Sequence, residues 1–189
     1  MFKRILIILF IIAGTVAYSL YQKNVLTGEL AVNQEAILSK APQSVFETLD
    51  GEAFDLHEFY RKERVELLVV HFWGTWCAPC EAEFPELLAF MKRFENRQGV
   101  KFLLVAVNDE PLKVKKHLKR IGIPKAAITW LVDNKSIHKD IFGTTRVPET
   151  YVFASDMTTL RKYMGPQEWN KTMFFQTFDE FIEISTHKL

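Results

Sequence analysis

The segment Phe72-Trp73-Gly74-Thr75-Trp76-Cys77-Ala78-Pro79-Cys80 constrains this chain more than any other. Before it, Glu66 to Trp73 is nearly all apolar and stops at Gly74, which suits a strand buried on both faces. After it, Phe84, Leu87, Leu88, Met91 and Phe94 recur at helical spacing. A buried strand therefore feeds a turn, and the turn opens a helix at Cys77 that runs to about Phe94. Helix N-termini offer free N–H groups and a positive dipole end, which favour a thiolate over a thiol. The spacing brings both sulfurs across the first helical turn, so a disulfide can open and close locally. Pro79 needs no N–H there, and its fixed φ suits a helix start. Cys77, at the exposed start, is the expected attacking thiolate. Cys80, one turn in, is the shielded thiol that resolves a mixed disulfide by attacking Cys77.

Other uses of the pair fit less well. The chain has 2 cysteines in all. A zinc site needs about four ligands, and no histidine sits at ligand spacing to the pair. A purely structural bond over so short a loop stabilises little. Redox chemistry is the favoured reading, with no metal and no other cofactor expected.

Around this centre the chain reads as one α/β domain. Ser44 to Leu49 alternates and ends at Asp50-Gly51, a strand and a turn. Asp55 to Tyr60 reads as a short helix capped by Asp55. Lys101 to Asn108 is a second buried strand, and Pro111 to Ile121 an amphipathic helix closed by Gly122 and Pro124. Ile128 to Val132 is a short strand and Ser136 to Phe142 a helical turn ending at Gly143. Thr150 to Phe153 and Leu160 to Met164 are strands split by Ala154-Ser155-Asp156, and Trp169 to Ile184 is a final helix. A parallel first half and an antiparallel second half give a three-layer α/β/α sandwich, with Ser44 to Leu49 added at the front. The 48 % hydrophobic and 25 % charged composition is that of a globular chain, and 16 phenylalanines supply an aromatic core. A formal charge of +1 gives no field for nucleic acid, so no such partner is expected. The basic run Lys113, Lys115, Lys116, Lys119 and Arg120 reads as a solvated helix face, with an acidic partner surface as the alternative.

The N-terminus carries a basic head, Lys3 and Arg4, and then an uncharged, mostly apolar run from Ile5 to Tyr21. That length is near the lower limit of about 17–25 residues for a spanning helix. Residues 1–22 read as an uncleaved signal anchor, with Lys3 and Arg4 on the cytoplasmic side. A cleaved signal peptide is the alternative, although Thr15-Val16-Ala17 fits a cleavage site poorly and the apolar run continues beyond it. Residues 23–41 read as a linker and 42–189 as the folded domain. Either reading places the domain outside the cytoplasm, where disulfides persist unless something reduces them.

The active segment resembles that of thioredoxin-like proteins. Glu81-Ala82-Glu83-Phe84-Pro85, with a carboxylate three residues past Cys80 and a proline two further on, resembles the membrane-tethered TlpA/ResA/DsbE group. Val147-Pro148-Glu149-Thr150 is similar to the cis-proline loop of the same family. The resemblance covers about Ala41 to the C-terminus and is specific at these two motifs. It implies a thioredoxin-like fold with a central mixed sheet, and single-pass attachment to the bacterial inner (cytoplasmic) membrane with the domain on the periplasmic side. It also implies exported thiol or disulfide substrates, and a membrane thiol-transfer protein as electron donor. Many relatives are reductants in cytochrome c maturation. A cis bond before Pro148 is implied, facing the pair and exposing the Val147 backbone to an extended substrate chain. An ordinary trans proline at a strand start is the alternative.

Four further residues carry expectations. Glu83 either shifts thiol protonation and shuttles a proton, or is a solvated carboxylate in the first turns of the helix. His71, six residues before Cys77, departs from the Asp or Asn usual in relatives. It is either a proton relay for Cys80, with an ordinary value near 6.5, or a core histidine satisfied by hydrogen bonds. Trp73 is expected under the site, and Trp76, with Pro79 and Val147, in an apolar substrate platform. Three functions follow: a reductant of specific exported thiols, such as the haem-binding cysteines of apocytochrome c; a general oxidant or isomerase of exported proteins; and a non-catalytic binding or assembly protein. The Ala78-Pro79 interior favours the first, because strong oxidants of this fold often carry histidine there.

Overall fold

The computed structural model describes residues 12, 14–19, 38–122 and 128–186. The chain divides into two units, 1–37 and 38–189. In the first, residues 12 and 14–19 are helical. The rest of the expected anchor, and residues 23–37 of the expected linker, lie outside the described residues. Among the described residues no helix is long and apolar enough to cross a membrane.

The second unit is built on seven strands and five helices among its described residues. They run β1 (Val45–Thr48), β2 (Ala53–Asp55), α1 (Leu56–Glu63), β3 (Leu67–Trp73), α2 (Ala78–Arg93), β4 (Val100–Val107), α3 (Pro111–Ile121), β5 (Ile128–Asp133), α4 (Ile137–Ile141), β6 (Glu149–Ala154), β7 (Thr159–Met164) and α5 (Thr172–Thr186). The sheet order is β2-β1-β5-β4-β3-β6-β7. Strands β3, β4 and β5 are parallel, while β6 and β7 on one flank and β1 and β2 on the other run antiparallel to their neighbours. Antiparallel pairing therefore lies on both flanks, not only in the second half of the chain. The hydrophobic run of each strand is legible locally. Its neighbour in the sheet is set by crossovers that no local pattern encodes.

Every residue of β3 is buried. Its side chains alternate between two cores, as the strand pleat requires. Leu67, Val69 and Trp73 join Leu87, Phe90 and Met91 of α2, Val114 and Leu118 of α3, and Phe178 of α5. Leu68, Val70 and Phe72 join Leu56 and Tyr60 of α1, with Phe142 and Tyr151. Three layers result, and β3 runs through the middle with the pair at its C-terminal end. Asp55 caps α1 as expected, accepting the Glu58 N–H at 2.8 Å.

Two helix boundaries differ from expectation, the first being the end of α1, which runs on to Glu63 and not to Tyr60. The last helix starts at Thr172, not Trp169. The Trp169 indole N–H is used on Glu83 of α2, and its ring packs on Phe90, Tyr163 and Phe174. That anchoring holds 165–171 as a turn-rich connection.

Candidate active site

The turn after β3 is fixed by backbone and side-chain bonds before the helix begins. Cys77 N donates to Gly74 O at 3.1 Å. Asp109, buried just after β4, accepts from Thr75 N at 2.6 Å and Thr75 Oγ1 at 2.8 Å, and Lys113 lies 3.1 Å away. The Trp76 indole donates to Val107 O at 3.0 Å, while the residue remains 52 % exposed. A Cβ on Gly74 would meet that indole at 2.7 Å, so any other residue here would have to push the Trp76 ring aside.

Cys77 is the N-cap of α2, with its Sγ accepting from Cys80 N at 3.2 Å. The two cysteines form a disulfide, S–S 2.12 Å and Cα–Cα 5.3 Å. Cys77 is 5 % exposed and Cys80 0 %. The expected order of exposure is present, but Cys77 is far less open than a residue at an exposed helix start. The exposed side chains are its neighbours Trp76, Ala78 and Pro79. Opposite them, the Val147–Pro148 bond is cis, and Val147 O lies 3.7 Å from Cys77 Sγ. Exposed Trp76 and Pro79 and half-buried Val147 thus flank Cys77, while the Cys80 sulfur lies fully beneath the surface. Two surface hollows lie elsewhere, one beside Leu49 and Leu118 and one beside Phe46 and His138.

Beneath the pair is a buried polar cluster. Trp73 packs edge-on against Phe84 and is fully buried, as expected. Glu83 is buried as well, which removes the reading of a solvated carboxylate. Its Oε2 accepts from Gln167 N and Trp169 Nε1, each at 2.9 Å. Its Oε1 faces His71 Nε2 at 3.6 Å, and among the described residues neither atom has a hydrogen-bond partner. His71 Nδ1 lies 2.9 Å from Thr150 Oγ1. Burial holds the imidazole down to about 3, far below its ordinary value, so the ring is neutral at physiological pH. Burial pushes the Glu83 carboxyl up, against the lowering effect of the Gln167 and Trp169 donors. The 3.6 Å approach is therefore a contact between a neutral ring and a carboxyl group, not an ion pair. The expectation of a histidine titrating near 6.5 does not survive this burial.

Glu149, next to Pro148, is also buried, with Lys162 Nζ 3.1 Å from its Oε2. Lys162 continues to Gly143 O at 3.1 Å and lies 5.0 Å from the centre of the Tyr151 ring. This pair ties the proline loop to edge strand β7. Among the described residues no group of three or more His, Cys, Asp and Glu side chains is placed to hold a metal ion. Sequence reasoning missed Asp109, Thr150, Lys162, Gln167 and Trp169. Each acts through a partner distant in sequence; Thr150 lies in the quoted proline-loop motif, but nothing local marks its bond to His71, and the other four carry no motif.

The comparisons agree with this geometry. The family model described as Redoxin matches residues 38–172. The thiol–disulfide oxidoreductase ResA of Geobacillus thermodenitrificans is 32 % identical over 146 residues, 77 % of each chain. That of Geobacillus kaustophilus is 36 % identical over 145 residues, 77 % of this chain and 76 % of the relative. A crystal structure of a thioredoxin-family thiol:disulfide interchange protein from Chlorobium tepidum superposes with a TM-score of 0.57 at 23 % identity, covering 78 % of this chain and 95 % of that one. That last likeness establishes the thioredoxin-type fold. The chain belongs to the Redoxin family, among its thiol–disulfide oxidoreductases.

Proposed function

We propose that this oxidoreductase works outside the cytoplasm, reducing disulfides in exported proteins through Cys77 and Cys80. The observation that carries the reading is the surface at Cys77: an N-cap sulfur beside exposed Trp76 and Pro79, with the Val147 carbonyl 3.7 Å away. An extended substrate pairs with the Val147 backbone by strand addition and rests its apolar side chains on Trp76. Cys77, as thiolate, attacks one substrate sulfur, and the other leaves as a thiolate that takes up a proton. Cys80 then loses its proton and attacks Cys77 Sγ. The Cys77–Cys80 bond forms, the mixed disulfide breaks, and the substrate departs with two electrons and two protons gained. Glu83, one turn beyond Cys80, takes the proton that Cys80 gives up.

The reducing direction rests on the Ala78-Pro79 interior, which lacks a residue that would stabilise the reduced thiolate. The N-terminal segment would hold the domain at the bacterial cytoplasmic membrane, where a membrane thiol-transfer protein re-reduces the pair. Haem-binding cysteines of apocytochrome c are the substrate class this arrangement suits. In the full chain, Cys80→Ser should trap substrate on Cys77 as a mixed disulfide, and Cys77→Ser should trap none. Recovery of exported, cysteine-pair proteins on Cys77 supports the reading. Recovery of cytoplasmic proteins alone, or equal trapping by both variants, would sink it.

A further inference from the structure

Two buried polar atoms face one another with no other partner among the described residues: His71 Nε2 and Glu83 Oε1, 3.6 Å apart. The gap is a few tenths of an ångström beyond a direct hydrogen bond. The rest of the surroundings is asymmetric. Glu83 Oε2 has two N–H donors, from Gln167 and Trp169, while Oε1 has none. His71 Nδ1 is already engaged by Thr150 Oγ1, directly across the β3–β6 ladder. Thr150 is two residues past Pro148, and Glu83 three past Cys80. One ring therefore links the strand carrying the cis proline to the helix carrying the resolving cysteine.

We propose that His71 is a positioning residue for Glu83: a neutral imidazole that aims its Nε2–H at Oε1, with its tautomer fixed by the Thr150 hydroxyl donating to Nδ1. Charge decides between the tautomers. A lone pair on Nε2 would face a carboxylate oxygen and repel it, whereas an N–H there completes a set of three N–H donors around the anion. The ring never needs to charge, and its burial keeps it neutral. Glu86 lies on the same helix and raises Glu83 further, Tyr163 of β7 packs on the Trp169 ring, and β4 presents Leu104 beside His71. His71 thus keeps a buried carboxyl available as a base, a role that rests on the proposed service of Glu83 to Cys80.

The two amide replacements separate this role from mere packing. Gln places its amide nitrogen where Nε2 stood, whereas Asn reaches the Nδ1 position and so touches Thr150 but not Glu83. The test is carboxyl ¹³C titration of the oxidised full-length chain, with Glu83→Gln to assign the Glu83 signal. In His71→Asn the Glu83 midpoint should rise, by at most about one pH unit, because the N–H···O contact is longer than a full hydrogen bond to a charged group. In His71→Gln it should stay close to the parent. Thr150→Val, which keeps the ring but frees its tautomer, should raise it too. The same midpoint in all three, a fall in His71→Asn, or Asn restoring what Gln does not, would overturn the proposal. A second readout concerns Glu83 itself. With an aromatic disulfide such as Ellman's reagent, release of the second thionitrobenzoate in a single turnover reports attack by Cys80. Its acid limb should follow the Glu83 midpoint across the variants. A midpoint that moves while this limb stays fixed upholds His71 as the positioning residue and removes Glu83 as the base for Cys80.

Discussion

His71 is the residue at which sequence and structure say the most different things. Its place on a buried strand, six residues before Cys77, was legible in the sequence, and the family resemblance implied a position behind the second cysteine. Its chemistry was not, because Thr150 and Glu83 arrive from other elements. Burial holds the ring down to about 3, against an ordinary value near 6.5. Between those two pH values the unfolded chain binds a proton that the folded chain refuses. His71 therefore costs nothing above pH 6.5, and stability falls as pH drops from 6.5 towards 3, by up to roughly 1.4 kcal/mol per pH unit. Glu83 acts with the opposite sign. Its raised value means that the fold keeps a proton longer, so stability falls as pH rises through the interval above the ordinary carboxylate range. Denaturant unfolding at pH 7 and pH 4.5 checks the histidine effect. The parent should lose more stability between these two pH values than His71→Gln, which cannot titrate there. Equal losses would contradict a buried neutral ring.

Among the elements, the strand-to-helix turn depends on a residue that no motif marks. Asp109 binds both Thr75 N and Thr75 Oγ1, and so fixes the chain two residues before Cys77. Asp109→Ala should cost about 1.5–3 kcal/mol, the usual range for a hydrogen bond to a charged group. It should also slow alkylation of Cys77 in the reduced protein, because the N-cap geometry loosens. Thr75→Val should reproduce only the share carried by the hydroxyl, since the Thr75 N–H remains bonded. Unfolding curves and alkylation rates measure both, and an Asp109→Ala protein as stable as the parent would refute the assignment. The β3 strand and the α2 helix were readable because burial on two faces and 3.6-residue periodicity are local signals. The start of α5 was misplaced because Trp169 spends its indole N–H on Glu83, a long-range bond that overrides helical periodicity.

For the whole molecule, strand identities were largely legible and sheet order was not. Nothing in Val45–Thr48 announces that it pairs antiparallel with β5. The proposed location is open to direct test. The full chain should stay in the membrane fraction after salt washing and leave with detergent, and a membrane-impermeant thiol reagent added to intact cells should label reduced Cys77. Labelling only after lysis would place the domain on the wrong side. The claim on which all else depends is that Cys77 and Cys80 form a reducing couple. Equilibration of the full chain in thiol–disulfide buffers, read by alkylation of the freed cysteines, measures its potential. A single two-electron couple near the thioredoxin value, about −270 mV, is the predicted result, and one near about −120 mV would contradict it.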